Sequence, residues 1–198
     1  MAPWEVTLGA TTAVGLAGWV KLAYDHVTAR PKLRGSILAV MTGTFEHQGQ
    51  AKAGLIPYLY LTNLRRNQVH VLDYEMEVKT RTGWQRLERV YGVTPQFSPS
   101  FRGTSGPGFA IPNFADKVIW RDHTPVQYGL PHHGFLLFAG PPGLHGEKHL
   151  KYRITCVDAF GRRHAVTTRP KDMRPPYLLT DLSGVMLPYE SLLPPDVK

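Results

Sequence analysis

Nine histidines and a single cysteine are the residues through which this 198-residue chain would do metal chemistry. The closest groupings are His132-His133 and His145 with His149. Two histidines four apart share one face only on a helix. Gly143, Gly146 and the flanking prolines argue against a helix there. Cys156, His164 and Met173 are the ligand types of a blue-copper centre, but they are spread more widely than its carboxy-terminal loop allows. One Cys also excludes an intramolecular disulfide and any multi-cysteine zinc or iron–sulfur site. The histidines are read as packing or solvent-facing groups, with no metal and no cofactor expected.

Nucleophilic and acid–base chemistry fare no better. Ser105 lies in Gly103-Thr104-Ser105-Gly106, which lacks the strand-to-helix elbow of G-x-S-x-G. Asp158 and His164 face each other across a candidate hairpin, where a structural salt-linked pair is the commoner outcome than a triad fragment. Asp73, Glu75 and Glu77 fall on one strand phase, the pattern of a solvated surface. No catalytic residue is assigned, and an enzyme is not expected.

Lys and Arg number 23 against 15 Asp and Glu, a formal charge of +8 at pH 7. The densest cluster is Arg162-Arg163 with Arg169, Lys171 and Arg174. Such charge serves a solvated face, an anionic membrane surface or a protein partner. No nucleic-acid recognition motif accompanies it, so no nucleic acid is expected.

The elements that would hold these residues are short strands. Ser36 to Met41 is an apolar run of strand length. In Gly54 to Asn63, Ile56, Tyr58, Tyr60 and Thr62 alternate with Leu55, Leu59 and Leu61. Val69 to Lys79 alternates more plainly, with His70, Leu72, Tyr74, Met76 and Val78 on the mostly apolar phase. Leu64 to Gln68 between these two runs has the length of a hairpin connection. Thr82-Gly83 turns the chain, and Trp84 to Tyr91 returns. Gly134 to Ala139 is a further strand. Leu150 to Thr167 reads as a hairpin turning at Ala159-Phe160-Gly161-Arg162, where Gly161 accepts positive φ. About seven short strands with a single core, and no helix after residue 30, predict an antiparallel β-sandwich. Residues 92–133 are rich in Pro and Gly and read as an irregular insertion holding one ordered piece, Lys117 to Arg121. Residues 169–198 read as a Pro-rich extended tail, lying over a partner or over its own domain. The domain boundaries are thus 1–34, 35–168 and 169–198.

The first segment differs from all of this. Val6 to Val20 is free of charge, and the run to Tyr24 would rise roughly 28 Å as a helix, close to a bilayer's hydrocarbon thickness. Trp4 precedes it, and Trp19 and Tyr24 sit near its other end, where aromatic rings settle at a membrane boundary. Lys21 is near enough to that end to snorkel. Gly9, Ala13 and Ala17, with Gly15 and Gly18, form small-residue faces against which another transmembrane helix can pack. A transmembrane anchor fits this length and these flanks better than a cleaved signal, since no basic residue precedes the run. Its threonines and glycines make it weakly apolar, which leaves a buried or interfacial helix as the other reading. Lys21, Arg30, Lys32 and Arg34 follow the run and only Glu5 precedes it, placing the main domain in the cytoplasm, with the periplasm still open.

Tyr60-Leu61-Thr62-Asn63, Val69 to Val78, Gly134 to Phe138 and Ile154 to His164 together resemble bacterial single-span, membrane-anchored proteins with an immunoglobulin-like β-sandwich. The Asn-loop portion also resembles water-stress and late-embryogenesis-abundant domains. The resemblance covers residues 35–91 and 134–168 and implies a fold, without a catalytic motif. The resulting expectation is a non-catalytic accessory or scaffolding subunit of a larger membrane complex of energy-transducing, photosynthetic or secretion type. Its partners would be the lipid bilayer and other integral membrane subunits, with no small-molecule substrate. Trp120, Arg121, Tyr128, Arg162, Arg163, Arg174 and Tyr177 are the expected partner contacts. The alternative is an independent membrane-anchored ligand- or metal-binding β-sandwich.

Overall fold

The computed structural model describes residues 19–22, 30, 32–101, 109–120, 124–173 and 187–188. It is mainly β, an antiparallel sheet curled into a half-barrel. In chain order the strands are β1 (Leu33–His47), β2 (Gln50–Asn63), β3 (Val71–Thr80), β4 (Gly83–Arg89), β5 (Ser100–Phe101) and β6 (Phe109–Ala110). Then come β7 (Pro131–Phe135), β8 (Phe138–Gly140), β9 (Lys151–Asp158), β10 (Arg163–Thr168) and β11 (Leu187–Pro188). The main sheet runs β1-β2-β8-β4-β3-β9-β10, with β7 also on β2. Six successive antiparallel pairings make β1 and β10 parallel. The two edges approach each other, and a Cβ on Gly35 would stand 3.0 Å from Val166.

Several strands lie where alternation and turns placed them. The β9–β10 hairpin pairs Cys156 with His164 and turns through Gly161 at φ 73°. The β3–β4 hairpin pairs Thr80 with Gly83. On β3, Tyr74, Met76 and Val78 are buried as their phase requires, but Leu72 is exposed. An irregularity between Val71 and Asp73 shifts the register there, and one extra residue turns a side chain to the opposite face. Ser36–Met41 proves to be the middle of a longer strand. β1 and β2 continue past the core to a two-residue turn, Gln48-Gly49, where both φ are positive, 53° and 72°.

Two expectations about connections are corrected. Leu64–Gln68 does not close a hairpin, because β2 and β3 are not neighbours in the sheet. Gly134–Ala139 is not one strand. β7 pairs with Tyr58–Thr62 and β8 with Ala53–Leu55 of β2, and the break at Leu136-Leu137 faces Pro57. Proline has no N–H to offer a second ladder, while its carbonyl still accepts from Leu136 at 3.1 Å.

Both phases of β2 are apolar because both faces are covered. Leu55, Leu59 and Leu61 join Met76, Ile154 and Cys156 inside the half-barrel. Ile56 and Tyr58 lie in a second core with Ile111, Phe114, Val118 and Phe135. The described part of the 92–133 stretch therefore folds back over the outer face of its own sheet. Of the ordered piece expected at Lys117–Arg121, the described part closes the 3-10 turn Phe114–Lys117 and makes an isolated bridge from Val118 to Phe135, while Arg121 lies outside the described residues. In the tail, Leu187–Pro188 pairs with β6, so at that point the tail lies on its own domain.

Candidate functional site

The exposed face of β3 carries Asp73, Glu75 and Glu77, and each carboxylate is held by a guanidinium from a neighbouring strand. Arg89 of β4 binds Asp73 at 2.7 Å, and Arg153 of β9 binds Glu77 at 2.6 Å. Glu75 is held between Arg86, at 3.1 Å, and Arg163. The expectation of a merely solvated acidic face is corrected: cross-strand pairing places opposite charges within reach and organises them as a ladder. Also on β4, Glu88 accepts from Lys52 of β2 at 3.0 Å, and this contact holds its carboxyl below the usual range.

The most elaborate point of the ladder is Arg89. Its guanidinium lies 4.4 Å from the ring centre of Tyr91, 4.5 Å from Trp120 and 5.2 Å from Tyr74, so cation–π attraction offsets part of its desolvation. Its Nε is buried without a hydrogen-bond partner. Tyr91 donates to Asp73 at 3.0 Å, as does the Tyr74 amide at 2.8 Å. Burial alone would raise the Asp73 pKa. The bonds from Arg89, Tyr74 and Tyr91 outweigh it, and the carboxyl titrates below its usual value. A cleft of about 420 Å³ opens beside this group, lined also by His47, Glu75, Arg86 and Glu88. Its carboxylates are already paired, which makes them weak general bases.

The histidines singled out by spacing are engaged within the fold. His133 Nδ1 lies 2.8 Å from the Tyr58 hydroxyl, and its ring stacks on Tyr60. His132 donates from Nε2 to the Ile119 carbonyl at 3.0 Å. His145 donates to the Pro142 carbonyl, while His149 donates to that of Leu144 and accepts from Tyr152. His164 donates to Asp158 Oδ2 at 3.0 Å, the pairing expected across the hairpin. Cys156 is fully buried, and burial pushes its thiol up to about 12. Among the described residues, no three His, Cys, Asp or Glu side chains gather into a metal site.

Of the expected partner contacts, Tyr128 and Arg162 are exposed, and Arg163 is exposed but bound to Glu75. Trp120 is only half-buried, packed against both cores and against Arg89. Arg121, Arg174 and Tyr177 lie outside the described residues, as do Trp4, Tyr24 and the small-residue positions Gly9, Ala13, Gly15, Ala17 and Gly18. Trp19 and Lys21 fall in the helical residues 19–22 and are exposed. Among the described residues no helix is long and apolar enough to cross a membrane. Sequence reasoning missed Arg89 and Tyr91, and it named Asn63 only within the resemblance, without a role. Asn63 closes β2, and its fully buried amide donates to the carbonyls of Asn67 and Val126 and accepts from the Arg65 amide. A strand ending in Asn before a polar loop is the available signal. Comparison with family models, with curated proteins and with solved structures finds no match.

Proposed function

We propose that the chain is a non-catalytic accessory subunit of a larger membrane assembly, with its β domain held at the bilayer by the apolar run from Val6 to Tyr24. The observation that carries the non-catalytic part is that, among the described residues, several of the side chains best suited to chemistry are engaged within the fold. Asp73 is held by Arg89, Asp158 by His164, and His149 by Tyr152 and Leu144, while Cys156 is sealed in the core. Groups so committed fix a structure; a reacting centre needs a base or nucleophile free to meet its substrate. The half-barrel, whose edges β1 and β10 approach each other in parallel, is read as the immunoglobulin-like module of this subunit. The small-residue face of the amino-terminal run would seat it against another transmembrane helix. Exposed Tyr128 and Arg162 would face the membrane assembly from the domain itself.

The test is purification of the full chain from native membranes in mild detergent, with identification of every chain that accompanies it. A stable set of integral membrane partners in fixed ratio is the expected result. Release from the membrane by salt alone, or migration as a lone monomer, overturns the reading.

A further inference from the structure

One end of the half-barrel is built from four segments joined by backbone hydrogen bonds. The Leu64 amide donates to the Lys32 carbonyl at 3.0 Å, and Gly129 to that of Asn63 at 3.1 Å. Val69 and Val126 exchange bonds at 3.1 and 2.8 Å, and Ala159 donates to His70 at 2.9 Å. The start of β1, the loop 64–70, the segment 126–130 and the β9–β10 turn thus form a continuous rim.

That rim exposes apolar side chains in an order a soluble surface does not require. Phe160 is 78% exposed, Leu72 66%, Tyr128 58% and Leu130 56%, with Leu64 beside them. Cations alternate with them. Lys32, Arg65, Arg66 and Arg162 belong to the same segments, and the Arg162 guanidinium lies 5.7 Å from the Phe160 ring centre. No described residue of these segments is acidic, and the described carboxylates that flank them in sequence, Asp158 and Asp73, are already bound to His164 and Arg89. The opposite end carries both signs, with Glu147 and Asp172 exposed among Arg81, Lys148 and Lys171.

The rim is also the end at which the amino-terminal run is attached. Seven residues, Asp25 to Pro31, separate that run from Lys32. Even fully extended they reach only roughly 25 Å. Apolar and aromatic side chains set among arginines, with no acid between them, match the boundary of an anionic bilayer. We propose that this rim is a lipid-docking surface: Phe160, Tyr128, Leu130, Leu72 and Leu64 enter the headgroup region of an anionic leaflet, while Arg65, Arg66 and Arg162 meet its phosphates. The proposal rests on the membrane-anchored reading and adds to it a second attachment made by the folded domain.

The test uses the full chain carrying a nitroxide at Phe160→Cys, a second at Tyr128→Cys and a control at Gln48→Cys on the far turn. Native Cys156 is buried and does not compete for the label. Each protein is floated with phosphatidylcholine vesicles and with vesicles enriched in phosphatidylglycerol, and collisions with oxygen and with a water-soluble nickel chelate are measured. On the anionic vesicles, labels at 160 and 128 should be shielded from nickel and open to oxygen, and the label at 48 should stay in water. Replacing Arg65 and Arg66 by Glu should lower the docked fraction about fivefold or more per arginine. Flotation with nickel-accessible labels at 160 and 128 overturns the docking surface and leaves the anchor standing. Docked labels with flotation on anionic vesicles alone support the rim and overturn the anchor. No flotation on either vesicle overturns both. Shielding only in native membranes, and not in protein-free vesicles, overturns the lipid assignment in favour of a protein neighbour.

Discussion

Arg89 donates from Nη1 to Asp73 Oδ1 at 2.7 Å, yet the two side chains live in unequal surroundings, the arginine 6% exposed and the aspartate 40%. Removing the carboxylate strands a charge among three aromatic rings, whereas removing the arginine releases a half-solvated anion to water. Asp73→Asn should therefore cost on the order of 3 kcal/mol. Arg89→Met fills the same volume with an apolar chain and should cost less than half of that. Urea unfolding of the two variants checks this order; equal losses would mean that the rings, not the carboxylate, hold the guanidinium.

Asp158 makes acid stability a second readout. Burial raises its pKa, but the bond from His164 and the amides of Arg162 and Phe160 at 2.9 Å outweigh burial, and it titrates below its ordinary value of 3.8. A folded-state pKa below the unfolded one means that the native form holds its proton less tightly. The stabilisation is then complete above about pH 5 and is lost as pH falls through about 4 toward the folded value. Unfolding midpoints followed from pH 6 to pH 3 should fall in the native chain. Asp158→Asn should begin less stable at pH 6 and lose less on acidification. Parallel pH profiles would show that this carboxyl does not govern the loss, and would turn attention to Asp73 and Glu88, both shifted in the same direction.

What the sequence reveals is what is local. The β9–β10 hairpin is legible because its turn residue and both strands lie within twenty residues, so alternation and Gly161 suffice. The burial of Tyr74, Met76 and Val78 follows from period alone, but Leu72 escapes it, since a bulge depends on the partner strand. The reach of β1 and β2 to Gln48-Gly49 is hidden because Thr42 to Lys52 mixes polar and apolar residues at the margin of the core. Pairing of β2 with β7 and β8 joins residues some eighty positions apart, and the covering of Ile56 and Tyr58 by Phe114 and Val118 joins residues about sixty apart. The Asp158–His164 pair was legible as a cross-hairpin contact. The Arg89–Asp73 pair was not, because it needs the β3–β4 register and the ring of Trp120 together.

Cys156 offers a clean probe of opening. Its thiol is fully buried on β9, and burial lifts its pKa to about 12. Since the thiolate is the reacting form, an aromatic disulfide reagent at pH 8 should modify the native chain only through transient opening, orders of magnitude more slowly than the chain in denaturant. The slow rate should climb with urea well below the unfolding midpoint if β9 opens locally, and only near the midpoint if opening is global. Modification of the native protein at the unfolded rate would contradict the buried position.

Gly134 tests how the insertion is held against the sheet. It lies on β7 and pairs with Leu59 of β2, and a Cβ there would stand 2.8 Å from the Ile119 amide nitrogen and 2.9 Å from the Lys117 carbonyl oxygen. Both neighbours are backbone, so a methyl group is accommodated only by moving the segment away and loosening Phe114 and Val118 from Phe135. Gly134→Ala should cost about 1–3 kcal/mol, in the range of core overpacking. Gly43→Ala, in the same sheet with nothing within 4 Å of the new carbon, should be neutral or slightly stabilising. Hydrogen exchange separates the explanations. Loss of protection at Ile119, whose amide donates to Phe135 at 3.0 Å, with β9 unchanged, locates the damage at the insertion. A uniform loss across all strands would instead mean that the segment over the outer face and the half-barrel beneath it unfold as one unit.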